Sequence, residues 1–262
     1  MFKNYIELSL KKIGVKKNDT IFIHTDIVNL PIYHHKTRNI KKKIELICNY
    51  IFESLTKVVS DKGTIIVPTF NYDFCKTKKF SHKYTPSQEG IFTEYLRKKK
   101  HTIRTTNPIH SVAIFGYYKK ELARGISNNC FGSDSIFERI YDKNAWIIFL
   151  GTDIQSCTFV HRCEELANVP YRFYKKFSGH ILGKKKKAIE LLYYCRYKNK
   201  YKNYDNGNTD HSKLEKVLLK KKYLIKPFKE FDISGIKAVD LQNYLVNKLK
   251  KKPFYLLKEN GK

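Results

Sequence analysis

A histidine and two carboxylates stand close together in the segment His161-Arg-Cys-Glu164-Glu165. Residues three and four apart share a face of a helix, so in a helix His161 can meet Glu164 or Glu165. A carboxylate beside an imidazole raises its basicity and fixes its tautomer, as a general base requires. The same spacing also occurs in metal sites and in surface ion pairs, so spacing alone leaves catalysis, metal binding and a structural pair open.

Two further groups of polar residues stand next to predicted strands. His24-Thr25-Asp26 follows an apolar run, and ligands of open α/β sheets bind outside the carboxyl ends of the strands, although these residues could also simply cap a turn. The segment 104–111, RTTNPIHS, brings a cation, hydroxyls and an imidazole to the start of another strand, but its Asn-Pro alone is only a turn signal. The sequence contains no P-loop, dinucleotide-binding glycine pattern, GxSxG elbow or HExxH motif.

The cysteines favour neither a zinc site nor a disulfide framework. No CxxC pair occurs among the six, which are Cys48, Cys75, Cys130, Cys157, Cys163 and Cys195. The chain is long, and its first residues lack the apolar stretch of a signal peptide. Free buried thiols in a reducing cytoplasm are therefore expected. A nucleophilic Cys163, two residues from His161, is the less favoured alternative.

Apolar runs of strand length alternate along the chain with segments of helical periodicity. We expect strands at residues 20–24, 64–67, 110–116 and 145–150, and helices at residues 3–13, 40–60, 158–167 and 235–250. Another helix is expected to begin at the capping box Thr85-Pro-Ser-Gln88 and to run into the lysines at 98–100. Segments 71–84 and 203–210 are predicted to be polar loops.

This alternation predicts an α/β fold, a single three-layer domain over residues 1–262 with a largely parallel or mixed central sheet. Residues 1–170 carry the motifs and form the expected core of that domain. Residues 171–262 are weakly periodic at first and rich in Tyr and Lys, and they are expected to form a less regular C-terminal part of the same domain.

The charge of the chain suits polyanions. Its 262 residues include 52 Lys and Arg against 24 Asp and Glu, so the formal net charge is +28. Nucleic acid, a membrane surface and phosphorylated small molecules all attract such a protein. The lysine runs are scattered, however, as in proteins of AT-rich genomes. A nucleic-acid-binding module that stacks bases on YYCRYKNKYKNY (193–204) is an alternative function. No apolar run approaches the roughly 20 residues of a membrane helix, so we expect a cytoplasmic protein with no membrane partner.

Seven segments occur in a specific order and spacing over nearly the whole chain. They are IFIHTDI (21–27), GTIIVPTFNYDFC (63–75), TPSQEGIFTEYLRKKK (85–100), IRTTNPIHSVAIFG (103–116), CFGSDSIFERI (130–140), LGTDIQSCTFVHRCEE (150–165) and ISGIKAVD (233–240). Together they resemble the aminoglycoside 3-N-acetyltransferase family, also called the antibiotic N-acetyltransferase family. No single motif is unique to the family, but the ordered set is specific.

The resemblance implies a single α/β domain that moves acetyl from acetyl-coenzyme A to an amine of a sugar-like ring, without a metal. His161 and Glu164 match the family's catalytic His-x-x-Glu, which makes His161 the expected general base and predicts direct transfer in a ternary complex. The residues implied to line the coenzyme's pantetheine arm are His24, Thr25, Asp26, Ser111 and Val112.

The resemblance also places acidic groups near the acceptor amine, at Asp73 and Glu94. Departures from the family pattern flank this region, since Ser81 replaces a common Asp and Gln88-Glu89-Gly90 replaces a usual Gln-Met-Gly. An aminoglycoside is a polycation, which a protein of charge +28 repels unless its cleft is locally acidic. The acceptor is therefore expected to be an aminoglycoside or a related amino sugar, and the alternative is a nucleotide-linked amino sugar for a surface glycan.

The site should form at one edge of the sheet. We expect His24, Ser111 and His161 to converge on one cleft at the carboxyl ends of the strands. Its entrance should be basic where the coenzyme's phosphates lie, and its surroundings should be acidic where Asp73, Glu94 and Glu164 lie. A homo-oligomer is left open, and nucleic acid is not the expected partner.

Overall fold

Strands and helices alternate over the first two thirds of the chain. The computed structural model describes residues 4–34, 39–125, 127–183, 186–198 and 200–259. The strands are β1 (Thr20–Thr25), β2 (Thr64–Pro68), β3 (Lys79–Phe80), β4 (Ile103–Arg104), β5 (Val112–Gly116), β6 (Trp146–Leu150), β7 (Arg172–Ile181), β8 (Lys187–Arg196), β9 (Tyr204–Thr209), β10 (Ile233–Lys237) and β11 (Leu257–Glu259).

Nine α-helices lie within these described residues. They are α1 (Tyr5–Ile13), α2 (Ile40–Val59), α3 (Phe74–Thr77), α4 (Ile91–Lys98), α5 (Lys119–Ala123), α6 (Ile136–Asp142), α7 (Val160–Leu166), α8 (Ser212–Lys220) and α9 (Ala238–Lys251). Short 3-10 turns cover Ile27–Asn29, Pro31–His34 and Ile154–Ser156. The helices expected at 3–13, 40–60, 158–167 and 235–250 are thus confirmed within a few residues.

A six-stranded sheet in the order β10-β6-β1-β2-β5-β4 forms the centre of the domain. The three middle strands are parallel, because β1 pairs in parallel with both β2 and β6. The flanking strands β10, β5 and β4 are all antiparallel to their neighbours. The mixed form of the expected sheet is therefore the one observed.

Both faces of this sheet are buried, which confirms the three-layer architecture. Successive residues of β1 point to opposite faces, so Ile21 and Ile23 pack in one core with α1, α2 and α4. Phe22 packs in the other core with α6, α7 and α9. Apolar residues on both sides explain why β1, β2 and β6 are continuous apolar runs with no polar alternation.

The helix expected to begin at Thr85 begins instead at Ile91, so the predicted capping box was wrong. Tertiary hydrogen bonds take up the polar groups on which that box depended. The backbone N–H of Gln88 donates to the Phe70 carbonyl at 3.0 Å, and its side-chain oxygen accepts from the Tyr72 N–H at 2.7 Å. Gly90, at φ 116°, then turns the chain into α4. Gln88 of the predicted capping box thus binds the segment before α4 to the segment that follows β2.

The C-terminal part is more regular than expected. Strands β7 and β8 form an antiparallel hairpin with ten paired positions, from Arg172 opposite Arg196 to Ile181 opposite Lys187. The predicted loop at 203–210 contains β9, which pairs with β11, and the predicted loop at 71–84 contains α3 and β3. Weak periodicity hid the hairpin because Lys and Tyr occur on both faces of its half-exposed strands. Among the described residues no helix is long and apolar enough to cross a membrane.

Candidate active site

The turn after β6 carries the chain to the histidine helix. Gly151 follows β6 with φ 70°, and a Cβ atom there would lie 2.1 Å from the Asp26 carbonyl oxygen. Only glycine therefore permits the ends of β1 and β6 to approach this closely. Asp153 then caps the turn Ile154–Ser156 by accepting from the Gln155 N–H at 2.8 Å. As a result, α7 begins just beyond the carboxyl ends of the parallel strands.

His161 and Glu164 form the pair that their spacing predicted. His161 Nδ1 lies 2.6 Å from Glu164 Oε2, and the Glu164 side chain is fully buried, whereas 28% of the His161 side chain is exposed. Glu165 makes different contacts, since its Oε1 accepts from Asn129 Nδ2 at 2.9 Å. Of the two candidate carboxylates, Glu164 alone holds the imidazole.

Tyr171 and Arg172, which follow α7 in the sequence, complete the environment of the buried Glu164 carboxylate. The Tyr171 hydroxyl donates to Glu164 Oε1 at 2.7 Å, and Arg172 Nη2 lies 2.8 Å from Oε2. Burial alone would disfavour the carboxylate charge, but the Arg172 guanidinium and the hydrogen bonds from His161 and Tyr171 hold the pKa of Glu164 far below its usual range. Glu164 is thus a permanent negative charge inside the protein.

The imidazole is neutral at physiological pH. Burial, assisted by the nearby Arg172 guanidinium and opposed by Glu164, lowers the pKa of His161 to about 4. Arg172 Nη2 also lies 2.9 Å from His161 Nδ1. The contact of Nδ1 with Glu164 is shorter than its contact with Arg172, and it joins opposite charges when the ring is protonated. We therefore place the hydrogen on Nδ1, which donates it to Glu164. Nε2 is then the nitrogen with a lone pair for a substrate.

His161 opens into a cavity of about 540 Å³. The lining residues are Gln155, Ser156, Cys157, Thr158, His161, Arg172, Tyr193, Cys195, Arg196, Lys198, Thr209 and His211. Of these described lining residues, three are cationic and none is Asp or Glu. The cavity therefore combines a neutral imidazole with cationic side chains, two of which, Arg172 and Arg196, belong to the hairpin β7–β8.

A second imidazole faces the same cavity. His211 is 2% exposed, and its Nδ1 lies 3.0 Å from the Ile154 carbonyl, which fixes the hydrogen on Nδ1. Its Nε2 is buried without a hydrogen-bond partner among the described residues. Burial lowers the pKa of His211, so this nitrogen is an acceptor for a substrate N–H or O–H group.

Sequence reasoning did not identify Tyr171, Arg172, Arg196 or His211. The two arginines face each other across the β7–β8 ladder, and His211 reaches the cavity from the turn before α8. No spacing rule links these positions to His161, because the contacts depend on the packing of α7 against a hairpin. A compositional signal was available only for Arg196, which lies among the cations and tyrosines of residues 193–204.

The residues predicted to line the pantetheine arm lie at the expected edge of the sheet. Asp26 is exposed and accepts from the Val28 N–H at 3.0 Å, and Thr25 is half-buried. His24 is 4% exposed and stacks on Phe149 at a centroid distance of 5.7 Å. Burial lowers the pKa of His24 to about 3. Of these residues, Thr25 and Asp26 can be reached by a ligand.

Ser111 and Val112 lie at the same edge, because β5 begins beside the end of β2. Both are fully buried. The Ser111 hydroxyl donates to the Thr69 carbonyl at 2.8 Å and accepts from Arg104 Nε at 3.0 Å. Val112 packs in the core beneath the sheet. A role of these residues towards the coenzyme stays a prediction, and their side chains are already engaged within the protein.

The predicted acidic residues are not brought together around His161. Asp73 lines a different cavity of about 1010 Å³, between the chain after β2 and the tip of the hairpin. Glu94 is bound by Arg97 at 2.6 Å and Lys98 at 2.9 Å. Burial alone would raise the pKa of Glu94. Its contacts outweigh this effect, the hydrogen bond from Arg97 most of all, and lower the pKa to about 2. Neither residue lies among those that line the His161 cavity.

Comparison with known proteins gives one family and a consistent fold. The family model described as aminoglycoside 3-N-acetyltransferase matches residues 32–250. A curated relative from Bacillus subtilis (strain 168), the SPbeta prophage-derived aminoglycoside N(3')-acetyltransferase-like protein YokD, is 22% identical over 193 residues. That alignment covers 65% of this chain and 66% of YokD, slightly less than two thirds of its length.

Solved structures share the fold at low sequence identity. AAC-IIIb, solved as a binary complex with CoASH, has a TM-score of 0.78 and 14% identity, with 94% of this chain and 95% of that chain covered. AAC-VIa bound to sisomicin, in a room-temperature neutron and X-ray structure, has a TM-score of 0.76 and 15% identity, with coverage of 94% and 97%.

Proposed function

The chain belongs to the aminoglycoside 3-N-acetyltransferase family, and from this membership we propose that it transfers acetyl from acetyl-coenzyme A to an amine of an aminoglycoside or related amino sugar. The observation that carries the proposal is the buried Glu164 carboxylate 2.6 Å from Nδ1 of a histidine that opens into a cavity. Coenzyme A as the second substrate follows the family and the CoASH-bound AAC-IIIb.

The residues of the cavity account for a direct transfer. His161 Nε2 accepts a proton from the acceptor amine while the amine nitrogen bonds to the thioester carbonyl carbon. The carbon–sulfur bond then breaks, and the proton passes to the departing sulfur, so the products are an amide and the coenzyme thiol. Holding amine and thioester side by side contributes much of the acceleration, which makes an acyl-enzyme unnecessary.

Glu164 compensates for the low basicity of the imidazole. A histidine whose pKa is about 4 is unprotonated at neutral pH, but it is a weak acceptor of protons. The carboxylate 2.6 Å away becomes the counter-ion of the imidazolium as the proton arrives. Thr25 and backbone N–H groups at the end of β1 are the proposed donors to the thioester oxygen or the pantetheine arm.

The alternative function, nucleic-acid binding, would need exposed tyrosine rings in residues 193–204 on which bases could stack. Tyr194, in the Tyr-rich segment, is 3% exposed, and its ring lies against Tyr174 at a centroid distance of 5.0 Å. Tyr193 is half-buried and contacts His110 at 5.1 Å. Rings already packed against other rings offer less surface for stacking with bases. Acetyl transfer is therefore the function that the site supports best.

Replacing the proposed base tests this function. His161→Ala should lower turnover by roughly 100-fold or more, the usual contribution of a general base, when thiol release from acetyl-coenzyme A is measured with an amino sugar acceptor. The dissociation constant of acetyl-coenzyme A should stay unchanged, because Nε2 serves the amine. His180→Ala, a half-buried histidine towards the far end of β7, is the matched control. Turnover of His161→Ala equal to that of His180→Ala would refute the assignment.

A further inference from the structure

We propose that His211 positions the acceptor amine, because its Nε2 accepts one hydrogen of the attacking nitrogen while His161 Nε2 accepts the other. The inference rests on the proposed acetyl transfer and makes primary amines the preferred acceptors. Both imidazoles line the same cavity of about 540 Å³. An unprotonated primary amine has two hydrogens and one lone pair, so two acceptor nitrogens in one cavity can turn the lone pair towards the thioester carbon.

The His211 ring is held through its side chain and its backbone. Its Nδ1 lies 3.0 Å from the Ile154 carbonyl oxygen, and its backbone N–H donates to Gln155 Oε1 at 2.9 Å. Ile154 and Gln155 belong to the short turn that precedes α7, so the turn that leads to His161 also binds His211. The positions of the two imidazoles are therefore linked through one turn.

The remaining nitrogen of this ring is an acceptor. The hydrogen on Nδ1 points to the Ile154 carbonyl, which leaves a lone pair on Nε2. Nε2 is buried and has no hydrogen-bond partner among the described residues. Burial lowers the pKa of His211, so the ring is neutral at physiological pH. A buried acceptor without a donor is costly to the protein, and a hydrogen of a bound substrate removes that cost.

The two rings are close enough to interact electrostatically. Burial is the main cause of the lowered pKa of His161, Arg172 comes next, and His211 also contributes. Since both imidazoles are neutral and carry their hydrogen on Nδ1, each offers an acceptor nitrogen to the cavity. A group with two hydrogens on one atom can satisfy both nitrogens. A primary amine is such a group, whereas a secondary amine has a single hydrogen.

The bonds that change during acetyl transfer agree with this division of the two hydrogens. One N–H bond breaks as its proton passes to His161 Nε2, while the nitrogen bonds to the thioester carbon. The carbon–sulfur bond breaks, and the proton passes from His161 to the departing sulfur. The hydrogen at His211 stays on the nitrogen and becomes the N–H of the product amide. His211 neither gains nor loses a proton, so it is a positioning residue.

Two substitutions that each keep one half of the imidazole test the proposal. The Asn amide can replace Nδ1–H but has no atom at the place of Nε2, and Asn is a favourable N-cap for α8, which begins at Ser212. His211→Asn should therefore lower kcat/KM for the better of glucosamine and kanamycin by about 10-fold or more, at an almost unchanged urea midpoint.

The Gln amide reaches the place of Nε2 but does not keep the bond to the Ile154 carbonyl. His211→Gln should therefore have the lower urea midpoint of the two variants and a kcat/KM at least about 5-fold above that of His211→Asn. The KM for acetyl-coenzyme A should change in neither. His180→Asn, at a half-buried position in β7, is the control for the same exchange elsewhere and should keep kcat/KM.

A structural role of His211 predicts the opposite order. If the bond from Nδ1 to the Ile154 carbonyl were its whole contribution, His211→Asn would keep activity and His211→Gln would lose it. That order, or equal kcat/KM in the two variants, would overturn the proposal.

The assigned hydrogen is tested with glucosamine and N-methylglucosamine. The wild type should prefer the primary amine, and this preference should be at least about 5-fold smaller in His211→Asn, because that variant has no hydrogen bond to lose with the secondary amine. The preference that remains is steric and common to both enzymes. An equal preference in both, or no use of N-methylglucosamine by either, would overturn the assignment of this hydrogen to His211.

The two proposals can fail separately. If the wild type releases thiol with neither glucosamine nor kanamycin, the proposed activity fails and the inference fails with it. If thiol release depends on His161 but the two His211 variants do not differ as stated, acetyl transfer stands and the role given to His211 is wrong.

Discussion

At the scale of single residues, the site is governed by one buried negative charge. Glu164 fixes the imidazole of His161 and is itself held by the Arg172 guanidinium at 2.8 Å. The guanidinium thus has two opposing effects. It keeps the carboxylate ionised, which supports the imidazolium, and its own positive charge lowers the pKa of His161. Arg172 therefore helps to set the pH range in which the His161 imidazole is unprotonated.

Removing this guanidinium should move the acid limb of the pH profile. In the wild type, His161 must lose its proton to act, so kcat/KM should fall only as pH drops through the enzyme pKa of about 4. Any rise between about pH 6 and 8.5 then comes from deprotonation of the acceptor amine, not of the histidine. In Arg172→Gln, loss of the nearby cation should raise the pKa of His161 towards its ordinary value and move the acid limb upward.

A second buried arginine, on the helix α7 that carries His161, supplies the control for that measurement. Arg162 is 4% exposed and pairs with Glu138 at 3.0 Å, on a side of α7 away from the cavity. Arg162→Gln should cost comparable stability, since it also leaves a carboxylate without its ion-pair partner. The acid limb of the pH profile of Arg162→Gln should stay at the same pH as in the wild type. An Arg172→Gln profile identical to that of Arg162→Gln would show that Arg172 has only a structural role.

At the scale of elements, the approach of β1 to β6 depends on the turn at Gly151. Asp26 donates its N–H to the Leu150 carbonyl at 2.9 Å, and Gly151 donates its N–H to the Asp232 carbonyl at 2.6 Å. The turn thereby joins β1, β6 and the start of β10 at the edge where α7 begins. Any displacement of this turn moves His161 relative to the strand ends.

The mutation Gly151→Ala should therefore destabilise the protein and impair the site together. The new Cβ would lie 2.1 Å from the Asp26 carbonyl oxygen, so backbone must move in addition to the left-handed strain. We expect a loss of more than about 2 kcal/mol in the free energy of unfolding, measured by urea denaturation. Gly125→Ala carries a similar φ, 58°, with no atom within 4 Å of the new Cβ, and should lose only about 1 kcal/mol. Equal losses in the two variants would contradict the steric explanation.

At the scale of the whole molecule, several histidines with lowered pKa values make the fold sensitive to acid. Burial lowers the pKa values of His24, His110, His161 and His211 in the folded protein. In the unfolded chain each histidine titrates near 6.5, so below that pH the unfolded state binds more protons. Their contribution to stability is complete above this value and is lost as pH falls towards the folded-state pKa values.

Removing one of these histidines should flatten the pH dependence of stability. His24, with a folded-state pKa of about 3, packs between Phe22 and Phe149. Between about pH 7 and pH 5 it should account for roughly 2 kcal/mol of lost unfolding free energy. Between the same two pH values, the unfolding free energy of His24→Phe should fall by about that amount less than the unfolding free energy of the wild type. Urea denaturation at both pH values measures this difference. His180→Phe, at a half-buried position near the end of β7, is the control, and equal slopes in the two variants would contradict the prediction.

Residue patterns by themselves predicted the contact between His161 and Glu164, and they determined the three-layer α/β class and the main elements of the first 170 residues. These features are encoded locally, because His161 and Glu164 lie one helical turn apart and buried strands appear as continuous apolar runs. The mixed pairing of the sheet, the start of α4 and the hairpin β7–β8 were decided only by tertiary contacts. The same holds for the chemistry of the cavity. Arg172, Arg196, Lys198 and His211 meet His161 through packing between elements distant in sequence, and no spacing rule reports which charges such packing brings together.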